Sequence, residues 1–566
     1  MLPWRNWPIL APFLAARREK GDSADSTRIG NWRPGPLVAA FCLAFFLQAL
    51  FASRLKSPTN DEPNHIVSGA SYISTRSIIA NPQHPPLVKE LAGVSLALAG
   101  IRWDAPATVQ ELAIRAPGWE WQAGNRFLAR AGVGRALFWA RLPLLLLSPL
   151  LGLLIYWWGR ELAGARAGLC ALFLFAADPT MVAHSYLVTT DVSVATFSLL
   201  FLLALFRYLR KPGIFRLAAA GAALGLALGT KFSAIFLLPI AAVLLVAESL
   251  GPPASPGGAA QPAGAVTRVC SAVLALAGMC VVAAMVIQVL YFSARGPFLY
   301  THGLSTVYAD YNPNYVGAYL GGQLKPRFAS YFAVAWLLKE PLATIALALG
   351  GTLLALRSRA IPRLCKLFLF LPPAVFFVAC TLWADDIGIR YAIPALPFGY
   401  LAGGIALAAL LKGRALHRVV AVAACAWVAC AAAGIYPDHL SYFNEAACLP
   451  AHPDQIGLDG GSSCGPNWLA DSNVDWGQSL PQLKAWLDRN APGQTVQMAY
   501  FGTFPPAAYG IHFEDMKGDF PPLPRRGLYA ISAHYVAYGP GIGARWLRDE
   551  PEAVVGHAYY ILDIVF

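Results

Sequence analysis

Apolar runs of membrane length, returning along the chain, constrain this sequence more than any motif in it. A helix needs about twenty largely apolar residues to cross a bilayer. Eleven runs meet or approach that length: Pro36–Leu55, Ala136–Trp158, Ala167–Ala183, Val192–Phe206, Ile214–Gly229, Phe232–Val246, Val269–Phe292, Tyr331–Leu356, Leu364–Leu382, Tyr391–Leu411 and Val419–Ile435. Charged residues fill 13% of the 566 positions, against about 25% in a soluble domain. The expected fold is mainly α, a polytopic membrane protein of about eleven transmembrane helices.

Orientation follows from the basic residues. The tail (Arg17, Arg18, Lys20, Arg28, Arg33), the Arg160–Arg166 loop, the loop with Arg207, Arg210, Lys211 and Arg216, the Arg357–Lys366 loop and the Lys412–Arg418 loop all fall on one side. Excess Lys and Arg mark cytoplasmic loops, so the N-terminus is expected in the cytoplasm and the first helix reads as an uncleaved anchor. The same topology explains the net charge of +12 without nucleic acid as a partner. Residues 1–35 are then a cytoplasmic tail and 36–435 a transmembrane domain. A long first loop, 56–135, lies outside. Residues 436–566 form a small extracytoplasmic α/β domain, with strand-like Val496–Phe501 and Tyr559–Phe566 and a short helix at Leu480–Leu487. Gly251–Gly264 reads as a flexible cytoplasmic linker. Cys448 and Cys464 share a polar loop, and outside the cytoplasm a disulfide between them is expected.

On this topology the unusual polar residues gather at one membrane face. They are Asp61, Glu62, His65, His84 and Lys89 of the first loop, then Asp178, His184, Thr189, Thr190 and Asp191, then Lys231, Lys339, Glu340, Asp385, Asp386, Arg390 and Tyr391. Carboxylates and cations at the end of a membrane cavity suit an anionic, lipid-linked substrate. Asp61 and Glu62 read either as a base with its partner, like charges raising the proton affinity of one, or as a helix N-terminus favoured by the macrodipole. His84 reads as a phosphate donor or a loop histidine, and Asp191 as a site residue or a helix cap. Arg390 suits bidentate phosphate binding; for Arg390, Lys231 and Lys339 the alternative is snorkelling to the interface.

An Asp-Glu pair after the first span, followed by His84-Pro85-Pro86-Leu87-Val88-Lys89, resembles the C-type glycosyltransferases, and within them the bacterial protein O-mannosyltransferase and aminoarabinose-transferase group. The resemblance continues through Ala140-Arg141-Leu142, Thr189-Thr190-Asp191, Gly225–Lys231, Leu337–Leu342 and Gly388–Pro394. Tyr442–Glu445 and Asp471–Gln478 resemble a bacterial branch of the same group. It implies inverting transfer of a sugar from a polyprenyl-phosphate donor to a protein, lipid or glycan acceptor, outside the cytoplasmic (inner) membrane of a bacterium. Asp61 is then the base and Glu62 helps to hold the acceptor. His84, where aminoarabinose transferases carry a lysine, falls with Lys89, Lys231, Lys339, Arg390 and Tyr391 on the donor side. Asp191, Thr190 and Arg141 line the cavity. Glu340 replaces an expected threonine. Asp471, Asp475 and Trp476 are open between acceptor recognition and docking of the tail. A divalent cation is left open as cofactor, since no ligand spacing demands one.

Two rival classes make different demands. A secondary transporter calls for ionisable groups at mid-bilayer and internal symmetry, and the chain shows no repeat. A non-catalytic scaffold leaves the acidic pair without a task.

Overall fold

The computed structural model describes residues 34–78, 80–103, 118–251, 264–293, 295–310, 317–516, 518–539 and 543–565. The tail arginines and Lys20, and most of the Gly251–Gly264 linker, lie outside the described residues. Eight helices are long and apolar enough to cross a membrane: Gly35–Arg54, Val133–Ala163, Asp191–Arg210, Phe232–Ser249, Ala265–Leu290, Arg363–Trp383, Ile389–Lys412 and Ala415–Gly434. Ile214–Leu228 is a shorter apolar helix between them. The chain is a multi-pass membrane protein.

Two runs expected as continuous spans are broken. Ala165–Ala176 turns by 68° into Pro179–Ser185, and Tyr331–Lys339 turns by 114° into Leu342–Arg357. Proline is the cause. It removes a backbone donor and forces the preceding residue out of the helical region. Asp178 before Pro179 has ψ 119°, and Glu340 before Pro341 has ψ 143°. The Asp178 carboxylate then caps the new helix, accepting from the Met181 N–H at 2.8 Å. The two breaks meet where Thr180 Oγ1 donates to the Lys339 carbonyl at 3.2 Å.

The first loop is built of helices, Glu62–Thr75, Leu87–Leu98 and Trp119–Ala131. The first two cross at Gly69 and Gly93, where a Cβ on either would collide with the other helix's backbone. Gly124 of the third helix meets the Pro63 carbonyl in the same way. Backbone contact this close leaves little freedom to the turn that carries Asp61.

A hairpin, β1 (Ala318–Leu320) and β2 (Gln323–Lys325), follows the seventh apolar run. The tail holds β3 (Val496–Ala499), β4 (Phe513–Asp515), β5 (Gly527–Ser532), β6 (Ala553–Val555) and β7 (Tyr559–Ile564) in one sheet of order β4-β3-β5-β7-β6. β3 pairs in parallel with β4 and β5; β7 pairs antiparallel with β5 and β6. The helix before β3 runs Leu480–Asn490, and its Leu480, Leu483 and Leu487 are buried on one stripe. They share an apolar core with Ile66, Val67, Leu96 and Phe127 of the first loop. Cys448 and Cys464 form the expected disulfide.

An ion cluster ties the tail to the end of the first span. Lys56 pairs with Asp438, and His557, in the β6–β7 turn, bridges Asp438 at 3.0 Å and Asp459 at 3.2 Å. Burial alone would lower the His557 pKa, but its bonds to the two carboxylates raise it to about 9 from 6.5. A raised value stabilises the fold fully below the unfolded pKa, and the contribution is lost as pH rises through the folded one. The wild-type melting temperature is therefore expected to fall between pH 7 and pH 10 by about 2 °C more than that of His557→Gln. Parallel melting curves in detergent would show that the cluster carries no such contribution.

Candidate active site

Asp61 stands at the N-cap of the Glu62–Thr75 helix, yet its side chain makes no capping hydrogen bond. Its Oδ2 lies 3.1 Å from Arg390 Nη1 and the side chain is 23% exposed. The capping alternative therefore does not describe it.

Glu62, next in the chain, is fully buried. Arg141 Nε and Nη2 donate to its two oxygens at 2.8 and 2.6 Å. The Thr59 N–H, the Thr59 hydroxyl and the Val188 N–H add bonds of 2.9, 3.2 and 3.0 Å. Burial alone would raise its pKa, but the charge and hydrogen bonds of Arg141 outweigh it and hold Glu62 below the usual carboxylate range. Arg141, expected in the cavity lining, also donates to the carbonyls of Ser53, Lys56 and Ser57. The pair pins the first loop to the Val133–Ala163 span and to the 186–190 turn.

The remaining cations divide into two sets. Lys89 Nζ donates to the carbonyls of Asn81 and His84 at 2.7 and 2.8 Å, so it shapes the His84 loop from inside. Lys339 Nζ donates to the carbonyls of Leu440 and Asn473 at 2.8 and 2.6 Å, stapling the helix break to the tail. Neither faces the cavity described next, although both read as donor contacts in the sequence.

Lys231 and His84 do face it. A cavity of about 550 Å³ is lined by Gln83, His84, Lys231, Ser233, Asp385 and Tyr391 at its polar part and by Phe232, Phe236, Phe376 and Trp383 along its apolar walls. Lys231 pairs with Asp191 at 2.6 Å and its Nζ sits 4.6 Å from the Tyr391 ring centroid. Asp191 opens the Asp191–Arg210 helix, with Thr190 buried at its N-cap, and its Oδ2 has no partner. Burial, with nearby cations adding to it, holds His84 well below its ordinary pKa, so it is neutral at pH 7. Its ring lies 5.2 Å from that of His65, which bonds the Val188 carbonyl through Nδ1 at 2.8 Å.

Arg390 joins this cavity to Asp61. It follows Gly388-Ile389 and directly precedes the cavity residue Tyr391, and its guanidinium carbon lies 4.3 Å from the Trp476 ring and 5.0 Å from the Tyr391 ring. Its Nε is buried without a partner. Trp476, which the sequence left undecided, is thus at the site. Its signal was the Asp471–Gln478 motif, whose backbone bonds the first loop: Ser57 and Asn60 donate to the carbonyls of Gln478 and Trp476 at 3.0 and 2.9 Å. Among the described residues no group of three His, Cys, Asp or Glu could hold a metal ion, so the residues do not fit the divalent cation and no step is routed through one.

Residues 129–253 match the family model of dolichyl-phosphate-mannose-protein mannosyltransferases. No curated protein sequence matches the chain. Among solved structures, the chain is similar to ArnT from Cupriavidus metallidurans bound to undecaprenyl phosphate, at 13% identity and TM-score 0.47, covering 94% of this chain and 98% of that one. It is similar to the Archaeoglobus fulgidus oligosaccharyltransferase AglB, in complex with an inhibitory peptide and a dolichol-phosphate, at 16% identity and TM-score 0.43, over 80% and 58%. The S. cerevisiae Pmt1–Pmt2 complex bound to the sugar donor follows at 16% identity and TM-score 0.33, over 52% and 38%. The family match over residues 129–253, which contains Arg141, Asp191 and Lys231, places this chain among the C-type membrane glycosyltransferases.

Proposed function

We propose that the protein is an inverting glycosyltransferase that moves a sugar from a polyprenyl-phosphate donor to an acceptor hydroxyl, with Asp61 as general base. The observation that carries this reading is the Asp61–Arg390 pair at 3.1 Å, one residue along the chain from Tyr391 of an apolar cavity whose polar part holds Lys231 and His84. An isoprenoid chain fits the phenylalanine-lined wall, and a phosphate fits the cationic part. Lys231 and Arg390 offer charge-assisted donors to it; neutral His84 offers one N–H.

In the transfer, the acceptor oxygen attacks the anomeric carbon on the face opposite the phosphate. The new C–O bond forms as the bond from that carbon to the phosphate oxygen breaks, which inverts the centre. The hydroxyl proton goes to Asp61, and the polyprenyl phosphate leaves with the electron pair, its charge met by Lys231 and Arg390. Glu62, with its oxygens occupied by Arg141, Thr59 and Val188, positions Asp61 rather than reacting. Residues 1–35 lie in the cytoplasm, and the reaction takes place on the outer face of a bacterial cell membrane, where the tail folds over the first loop.

The test is transfer in reconstituted vesicles supplied with radiolabelled undecaprenyl-phosphate sugars. Transfer from at least one donor is expected, and none from any donor would overturn the reading. Lys231→Met is expected to raise the donor KM about tenfold, the worth of one charge-assisted bond of about 1.5 kcal/mol; an unchanged donor KM would remove the phosphate from this cavity. Cysteine labelling that reached the tail only from the cytoplasm would overturn the orientation.

A further inference from the structure

The tail turn Asp471–Trp476 has no part in the chemistry above, yet it encloses Arg390. Ser472 Oγ donates to the Ile387 carbonyl at 2.7 Å, and Asn473 Oδ1 accepts from the Ile389 N–H at 3.0 Å. These bonds grip the segment that ends in Arg390, while the Trp476 ring covers its guanidinium at 4.3 Å. Asp471 itself has φ +57°, a left-handed conformation that a side chain with a Cβ adopts only where its surroundings impose it. Two bonds impose it here: the Asp471 N–H donates to His534 Nδ1 at 3.2 Å, and Asp471 Oδ1 accepts from the Ser472 N–H at 2.7 Å. His534 can accept because burial lowers its pKa to about 3, leaving Nδ1 a free lone pair. The strained turn holds the Asp471 carboxyl within electrostatic reach of both Arg390 and Asp61.

We propose that Asp471 is a positioning residue of the transfer reaction, which shares the Arg390 guanidinium with Asp61 and so sets how tightly that cation holds the base. The tail is then part of the catalytic unit and not a docked accessory. This rests on the reading of Asp61 as base. When Asp471 is ionised, Arg390 is divided between two carboxylates and Asp61 is freer to take a proton. When Asp471 is neutral, Arg390 belongs to Asp61 alone. The groups facing Asp471 are Arg390, Asp61, Asp475, Tyr331 and Tyr538, with His534 neutral beside it. Burial pushes the Asp471 carboxyl up to about 7, so the switch falls near neutral pH.

The experiment is the pH profile of kcat at saturating donor, for the full-length wild type, Asp471→Asn and Asp471→Glu in vesicles. The wild type is expected to gain activity on a limb near pH 7. Asp471→Asn is expected to lack that limb and to run about tenfold below wild type at pH 8 with the donor KM little changed. Asp471→Glu, which restores the charge, is expected to recover the limb. A wild-type profile in Asp471→Asn would overturn the proposal, and so would a loss of the same factor at every pH. If Asp471→Asn does not fold, Asp471→Glu decides: a displaced limb supports the proposal and an unmoved one overturns it. A wild type that transfers normally, with these variants failing as described, sinks the inference alone; a wild type inactive with every donor sinks both readings.

Discussion

Replacing Asp61 by Asn is expected to lower kcat by about 10²–10⁴-fold, the usual worth of a general base, with the protein still folded. The amide keeps the shape of the carboxylate but cannot take the acceptor proton. The fold has little reason to suffer. The Asp61 side chain is partly exposed, makes no capping bond and has Arg390 as its partner at 3.1 Å. Losing that ion pair frees Arg390 for the donor phosphate, so the donor KM is expected to stay level or fall. A drop in kcat with no rise in donor KM marks an interaction made only in the transition state. The measurement is single-turnover transfer from labelled donor, with size exclusion in detergent as the folding control. A folded Asp61→Asn protein with a kcat near that of wild type would remove the base assignment.

The positions of the spans were open to a reading of the chain because hydropathy acts along one dimension. Each of the eleven apolar runs contains a helix, including the short Ile214–Leu228. The breaks at Pro179 and Pro341 were not read, although both prolines are visible, because the apolar run continues past each of them. Their effect depends on where the freed backbone groups find partners, as Asp178 does with Met181. Sequence neighbours were also misleading as a guide to roles. Asp61 and Glu62 are adjacent, but one meets Arg390 and the other Arg141. Pairing between positions 329 and 79 apart in the chain is decided by packing, which no local motif encodes. Lys89 and Lys339 show the same limit. A lysine near a membrane face suits a phosphate equally well before its burial is known, and both turn out to hold backbone carbonyls.

Glu62 and Arg141 carry the largest expected effect on stability. Removing one partner of a buried ion pair leaves an uncompensated charge and costs about 3–5 kcal/mol, a large share of the total stability of a domain. Arg141→Ala is expected to be the worse of the two single changes, because it orphans the carbonyls of Ser53, Lys56 and Ser57 as well as Glu62. Glu62→Ala leaves Arg141 those three acceptors. Removing both charges relieves the unpaired ion but not the carbonyls, so Glu62→Ala with Arg141→Ala should lie nearer to Arg141→Ala alone than to wild type. Such non-additivity is the mark of direct coupling. The readout is the monodisperse fraction in detergent and its melting temperature for all four proteins; additive losses would mean that the pair does not act as a unit. Glu62→Gln completes the comparison with Asp61. It keeps hydrogen bonds but loses the charge, so the melting temperature should fall while the surviving folded molecules retain transfer. Asp61→Asn should do the reverse, staying folded and losing transfer. If Glu62→Gln instead folded like wild type and lost transfer, the base would have to be sought at Glu62.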